Sequence, residues 1–156
     1  MRDTPAPQWL TADQQRVWRA YLLGVARLSE AMDADLRQFD VDLPEYEILV
    51  ALSESPDRQM RMSELATAVH QSRSRLTHTI ARMEKDNLVT RVGCPTDRRG
   101  VWATLTDTGA EMLRTAAPSH VATVRKFFVD AAGPDDYAAL GRAFEAVIKA
   151  TSPLAR

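Results

Sequence analysis

Residues 62–106 read MSELATAVHQSRSRLTHTIARMEKDNLVTRVGCPTDRRGVWATLT. Within residues 73–86, Leu76, Ile80 and Met83 fall at i, i+4 and i+7 and form one apolar stripe, which Leu88 continues just past the helix end. The remaining faces carry Arg73, Ser74, Arg75, Thr77, His78, Arg82 and Lys85. Such side chains supply the donors and positive charge that a helix needs to lie in a DNA major groove. A shorter stripe precedes it, made by Met62, Leu65, Ala66 and Val69, with Ser63 placed to cap its start and Gln71-Ser72 interrupting the pattern. Two short amphipathic helices joined by a tight turn constitute a helix-turn-helix.

A hairpin follows directly. Residues 88–92 and 101–105 are β-branched or apolar runs, and Gly93-Cys94-Pro95-Thr96-Asp97-Arg98-Arg99-Gly100 separates them. Glycine, proline and aspartate there are turn residues, and two adjacent arginines occupy the tip. The expected unit is a winged helix, with residues 73–86 as recognition helix and residues 88–106 as wing, the hairpin aimed at the neighbouring minor groove.

This stretch resembles the MarR (multiple antibiotic resistance regulator) family of transcription factors. The matching residues are Leu76-Thr77 and Ile80, then Met83-Glu84-x-x-Asn87-Leu88-Val89-x-Arg91, the wing Asp97-Arg98-Arg99, and the closing Leu105-Thr106-x-x-Gly109. The family usually has glycine where Asn87 stands, at a helix end in the left-handed region, and asparagine is the common non-glycine residue there. The resemblance implies a sequence-specific regulator that binds double-stranded DNA as a homodimer, a repressor of a palindromic operator that responds to a small aromatic, anionic or lipophilic effector.

Outward from this core, 156 residues suit one domain unit, and 45% hydrophobic with 26% charged residues is ordinary for a globular protein. The first residues lack the basic and apolar regions of a signal peptide, residues 4–7 read as a frayed leader, and no apolar run approaches a membrane span. A single cysteine forms no internal disulfide, which agrees with a cytoplasmic location. The net charge of −1 hides a polarity: residues 70–100 hold seven basic side chains (Arg73, Arg75, Arg82, Lys85, Arg91, Arg98, Arg99) against three acidic ones (Glu84, Asp86, Asp97). Residues 1–69 carry seven basic against twelve acidic, and residues 101–156 balance. Positive charge gathered on one segment is a footprint for phosphate, although a solvated helix face has the same look.

Residues 11–39 form the first long element, capped by Thr11 or Asp13, with Val17, Trp18, Tyr21, Leu22, Val25, Leu28, Met32, Leu36 and Phe39 recurring at helical steps. That stripe is longer than one small core requires, so part of it should face another subunit. Asp42-Leu43-Pro44 starts a second helix with Tyr46, Ile48, Leu49 and Leu52 buried, and Ser55-Pro56-Asp57 ends it. Helical period returns after the wing, where Pro118 is expected to kink or break the helix near Ala117. Gly133-Pro134 turns into a last helix burying Tyr137, Leu140, Phe144, Val147 and Ile148. The fold expected is mainly α: a winged helix-turn-helix over residues 44–106 with a small β-hairpin wing. Long N- and C-terminal helices, residues 11–39 and 107–151, form a dimerisation region that the resemblance interlocks into a homodimer.

On the site, Ser72, Arg73, Ser74, Arg75 and His78 sit near the recognition-helix start and can reach base edges, with Arg75 or Arg73 the best guanine reader. Thr77 and Arg82 are read as phosphate contacts. Arg98 or Arg99 enters the minor groove with Asp97 orienting one of them; the resemblance assigns this to Asp97 and Arg99. The bland counterparts are exposed helix residues for Arg73, Arg75 and His78, and a turn-shaping role for Asp97. An effector pocket would draw on Trp18, Tyr21, Leu22, Tyr46, Ile48, Val124 and Phe128, for which plain packing is the competing reading. Two rival functions remain: a winged-helix module for protein contacts alone, and a thiol redox sensor using Cys94, against which stands the lack of anything but the two arginines to activate the thiol. An enzyme is not expected: His70, His78 and His120 form no chelating set, and HExxH, CxxC and glycine-rich phosphate motifs are missing, so neither metal nor cofactor is anticipated.

Overall fold

Thr11 opens the first helix with a reciprocal capping box. Its hydroxyl accepts the Gln14 N–H while the Gln14 side chain accepts the Thr11 N–H. The computed structural model describes residues 7–94 and 97–152, with only the backbone described for Cys94 and for residues 97–99. Helix α1 (Ala12–Leu36) runs through a 3₁₀ turn (Arg37–Phe39) into α2 (Leu43–Glu54). Asp42 caps α2 in a second capping box with Glu45, and Pro44 lies in its first turn, where a missing N–H costs nothing. After α2 come a short strand β1 (Gln59–Arg61), α3 (Met62–Ala68), α4 (Arg73–Lys85), the hairpin β2 (Val89–Cys94) and β3 (Asp97–Leu105), and α5 (Asp107–Val124). A π-turn (Arg125–Val129) and a short α6 (Asp130–Ala132) lead to α7 (Pro134–Thr151). The result is a mainly helical winged helix between long terminal helices.

The wing is a three-stranded antiparallel sheet in the order β1-β3-β2. Gln59, Met60 and Arg61 pair with Thr104, Ala103 and Trp102, while Val89 sits opposite Leu105 and the register slips between Gly93 and Cys94. The third strand, β1, is absent from the sequence reading. Three residues carry too little alternation to declare a strand, and β3 imposes the conformation from 41 to 45 residues away.

The core lies within the winged helix. Leu36, Ile48, Leu49, Leu52, Leu65, Leu76, Ile80, Met83 and Val89 are fully buried, so the expected α4 stripe is the buried one. Where α4 ends, Asn87 takes the left-handed conformation at φ 55°. The Leu88 N–H reaches back to the Met83 carbonyl (2.9 Å) and the Asn87 N–H to that of Glu84 (3.1 Å), a Schellman closure. Thr106 then caps α5, accepting the Gly109 N–H (2.9 Å) while its hydroxyl donates to the Asn87 carbonyl (2.6 Å). A Cβ on Gly109 would collide with the Leu88 carbonyl oxygen and lie 2.7 Å from Leu105 Cδ1. The first turn of α5 therefore seats against the root of the wing only because residue 109 has no side chain.

Three expectations need correction. Ser63 does not cap α3: that helix begins at Met62 with Arg61 as an N-cap lacking a side-chain bond, because β1 runs straight into it. Of the kink or break expected at Pro118, the break does not occur, since α5 continues to Val124. Both Pro118 and Arg114, whose carbonyl loses its helical partner, are exposed residues. Tyr137, Leu140, Phe144, Val147 and Ile148 are not buried; α7 contributes no buried residue to the chain's own core.

Candidate nucleic-acid interface

The turn from α3 to α4 is closed by His70, a non-glycine residue at φ 51°, with its N–H on the Thr67 carbonyl (3.2 Å) and that of Gln71 on Ala66 (3.0 Å). Ser72 caps α4 by accepting the Arg75 N–H (3.2 Å). Burying Leu76, Ile80 and Met83 forces the opposite face outward, and Ser72, Arg73, Ser74, Arg75, Thr77 and His78 are all exposed. The Thr77 hydroxyl donates to the Arg73 carbonyl (2.8 Å), which leaves its oxygen lone pairs outward.

A groove of about 540 Å³ separates α4 from the wing. Arg73 and Thr77 of α4, Ser63 at the start of α3, and Arg61 and Arg91 of the sheet line it. Arg91 is fixed by Glu84: its backbone N–H and its Nε reach the carboxylate at 3.0 and 2.8 Å, and its terminal nitrogen at 2.7 Å. This clamp, with the guanidinium on one carboxylate oxygen and the backbone N–H on the other, ties β2 to α4 and is the physical content of the Glu84 and Arg91 spacing. Arg61 lies over the Trp102 ring, 5.5 Å from its centre. The sequence reading missed Arg61 and Ser63 as groove residues, and Trp102 as the ring beneath Arg61. Their one signal was a basic residue immediately ahead of α3, and its direction depends on the β1–β3 pairing.

Arg82, read as a phosphate contact, is engaged within the chain. Its guanidinium bridges Asp42 (2.8 Å) and the buried Glu45 (2.9 Å) of α2, and the hydrogen bond to Glu45 raises its already high pKa. Arg82 is a brace between α4 and α2. The side chains of Cys94, Asp97, Arg98 and Arg99 lie outside the described residues; the backbone of all four belongs to the hairpin.

The residues expected to form an effector pocket are dispersed. Trp18 stacks on Tyr21 (5.5 Å between ring centres), and Tyr21 meets Phe144 of α7 (5.8 Å). Leu22 is exposed, Ile48 is wholly within the core, and Phe128 packs edge-on to Tyr137. Val124 is half-buried near the end of α5. Tyr46 alone of the seven borders a cleft of about 960 Å³ between α1, α2, α5 and the helix-turn-helix. Met32, Leu43, Val50 and Met60 give that cleft apolar walls, and Glu47, Gln71, Arg75 and His120 give it polar ones. His120 lies tilted against the Tyr46 ring, 4.4 Å between centres, and burial lowers its pKa against the opposing pull of Asp35. Among the described residues no cluster of histidine, cysteine or carboxylate side chains could hold a metal, and no helix is long and apolar enough to cross a membrane.

The model of the MarR family matches residues 39–100. AbsC, a MarR family transcriptional regulator from Streptomyces coelicolor, is 46% identical, with 92% of this chain and 97% of that one covered and a TM-score of 0.86. Sco3205, another MarR family transcriptional regulator from the same organism, solved in complex with DNA, is 41% identical over 96% of this chain and 94% of its own, at a TM-score of 0.90. CouR from Rhodococcus jostii RHA1, bound to p-coumaroyl-CoA, shares the fold at 17% identity, with 94% and 98% covered and a TM-score of 0.75. Comparison with curated proteins gives no match.

Proposed function

This chain belongs to the MarR family of transcriptional regulators, and we propose that it acts as a ligand-responsive repressor binding a palindromic operator as a homodimer. The observation that carries the DNA reading is the outward face of α4, where Ser72 to Arg75 and His78 stand clear of the core beside a groove lined by Arg61, Arg73 and Arg91. Arg75 or Arg73 reads guanine through a bidentate contact in the major groove. The wing tip, with Asp97 holding Arg99 or Arg98, enters the minor groove. Support for a duplex partner comes also from Sco3205, crystallised with DNA.

The homodimer is supported by α1 and α7, whose apolar faces stay largely open among the described residues: Val17, Trp18, Leu22 and Val25 of α1 and Val147 and Ile148 of α7 are all between 46% and 63% exposed. The dimerisation region then comprises residues 11–39 and 107–151 and the DNA-binding region residues 44–106. A two-fold axis through that region presents two α4 helices to half-sites about one helical turn apart. An effector releases DNA when it binds a lobe arrangement that DNA does not.

The test is selection of duplexes from a random pool, followed by titration of the recovered site with Arg73→Ala and Arg75→Ala. At least one variant should lose about ten-fold or more in affinity and relax its preference at one base pair. Wild-type protein indifferent to duplex DNA at low ionic strength would overturn the reading.

A further inference from the structure

The wing carries a tryptophan that its core does not use. Ala103 and Leu105 of β3 are buried, so strand alternation turns Trp102 to the opposite, outer face of the sheet, where it is half-buried. The same alternation on β1 packs Met60 against the core and turns Arg61 outward. Arg61, Trp102 and Val92 stand in one row across the three strands, and Val92 is exposed. Within that row the Arg61 guanidinium carbon lies over the indole, 5.5 Å from the ring centre. A large ring on an outer face closes no core; its use here is as a platform for a cation.

Arg61 also borders the groove between α4 and the wing, together with Arg73 and Arg91. These arginines are held in different ways. Glu84 takes the Arg91 guanidinium and neutralises it. Arg73 stands exposed on α4, on the face that meets base edges in the function proposed above. Arg61 belongs to the sheet and directly precedes α3. Contact with a ring engages the flat face of a guanidinium, while its N–H fork lies in the plane, where phosphate oxygens are recognised. A side chain already held on a rigid ring also loses less entropy when it binds.

We propose that Arg61 grips a backbone phosphate of the duplex, independently of sequence, and that Trp102 is the residue that positions it. The proposal rests on the duplex-binding reading above and adds to it a contact made by the third strand, apart from the recognition helix and the wing tip. Its contribution is grip and not readout.

The test titrates the full chain with the duplex recovered by selection and with an unrelated duplex of equal length, across a range of salt concentrations. Arg61→Ala should weaken both duplexes by about ten-fold and make the salt dependence shallower by about one per bound chain. Trp102→Leu should cost about three-fold, Trp102→Phe should restore most of that loss, and the Trp102→Leu effect should vanish once residue 61 is alanine. Circular dichroism should stay native throughout, since neither side chain belongs to the core. An unchanged salt slope in Arg61→Ala, a loss confined to the recovered duplex, or additive effects of Arg61→Ala and Trp102→Leu would each overturn the proposal. Those results with normal wild-type binding would sink this assignment and leave the regulator reading standing, whereas a wild-type chain indifferent to both duplexes would sink the two together.

Discussion

His120 shows how one side chain is set by its surroundings. It lies against the Tyr46 ring from α2, and Asp35 of α1 is the charged group that acts on it. Asp35 accepts hydrogen bonds from Ser119 (2.7 Å) and Gln38 (3.1 Å) through one oxygen, while its other oxygen is buried without a hydrogen-bond partner. Burial is the larger effect and lowers the His120 pKa below the ordinary value near 6.5. The unfolded chain therefore binds the proton more readily than the folded one. Above the ordinary value both states are neutral at this residue and it contributes no pH dependence. As the pH falls through that value the unfolded state gains the proton first, and stability declines until the folded pKa is also passed. His120→Phe should thus lose less thermal stability than wild type between about pH 7 and pH 5. Parallel melting curves for the two proteins across that interval would refute the assignment.

At the level of elements, α4 is held from two sides: Glu84 clamps Arg91 of β2, and Arg82 spans Asp42 and Glu45 of α2. Removing Arg82 leaves Glu45, itself buried, with the Asp42 N–H as its remaining partner. Arg82→Ala should cost about 1–2 kcal/mol, less than a fully buried pair because the guanidinium is half exposed. A brace also has a distinct signature in DNA titrations. Affinity should fall modestly with an unchanged salt slope, whereas a slope reduced by about one would return Arg82 to the phosphate backbone. Elements with strong period were legible in advance: the stripe of α4, the caps Thr11 and Asp42, and the left-handed Asn87 all follow from local chemistry. Arg82 and β1 were not legible, since a partner thirty-seven residues away takes the one and a strand 41 to 45 residues away makes the other. Pro118 misled in part: it lies on an exposed stretch of α5, and the helix runs on past it to Val124.

Across the whole molecule, the apolar residues divide into two populations that sequence periodicity alone does not distinguish. Those from Leu36 to Leu105 close a core, while the stripe of α1 from Val17 to Val25 and that of α7 remain open. The excess was readable from the length of the first stripe. The cleft was not, because its walls come from α1, α2, α5 and the turn before α4, and only Tyr46 of the expected lining reaches it. If the open faces meet across a two-fold axis, a charge placed in either must separate the copies without disturbing the winged helix, whose core uses neither. Leu22→Glu in α1 and Ile148→Asp in α7, made separately, should each convert a sedimenting dimer into a monomer while the spectrum of the folded helices persists. On a duplex with two half-sites their affinity should drop by about a hundred-fold or more, since the second contact ceases to be intramolecular. On a single half-site the loss should be slight. Dimers that survive both substitutions would assign the open faces to some other contact, and with them would go the half-site spacing that the two-fold arrangement imposes on the operator.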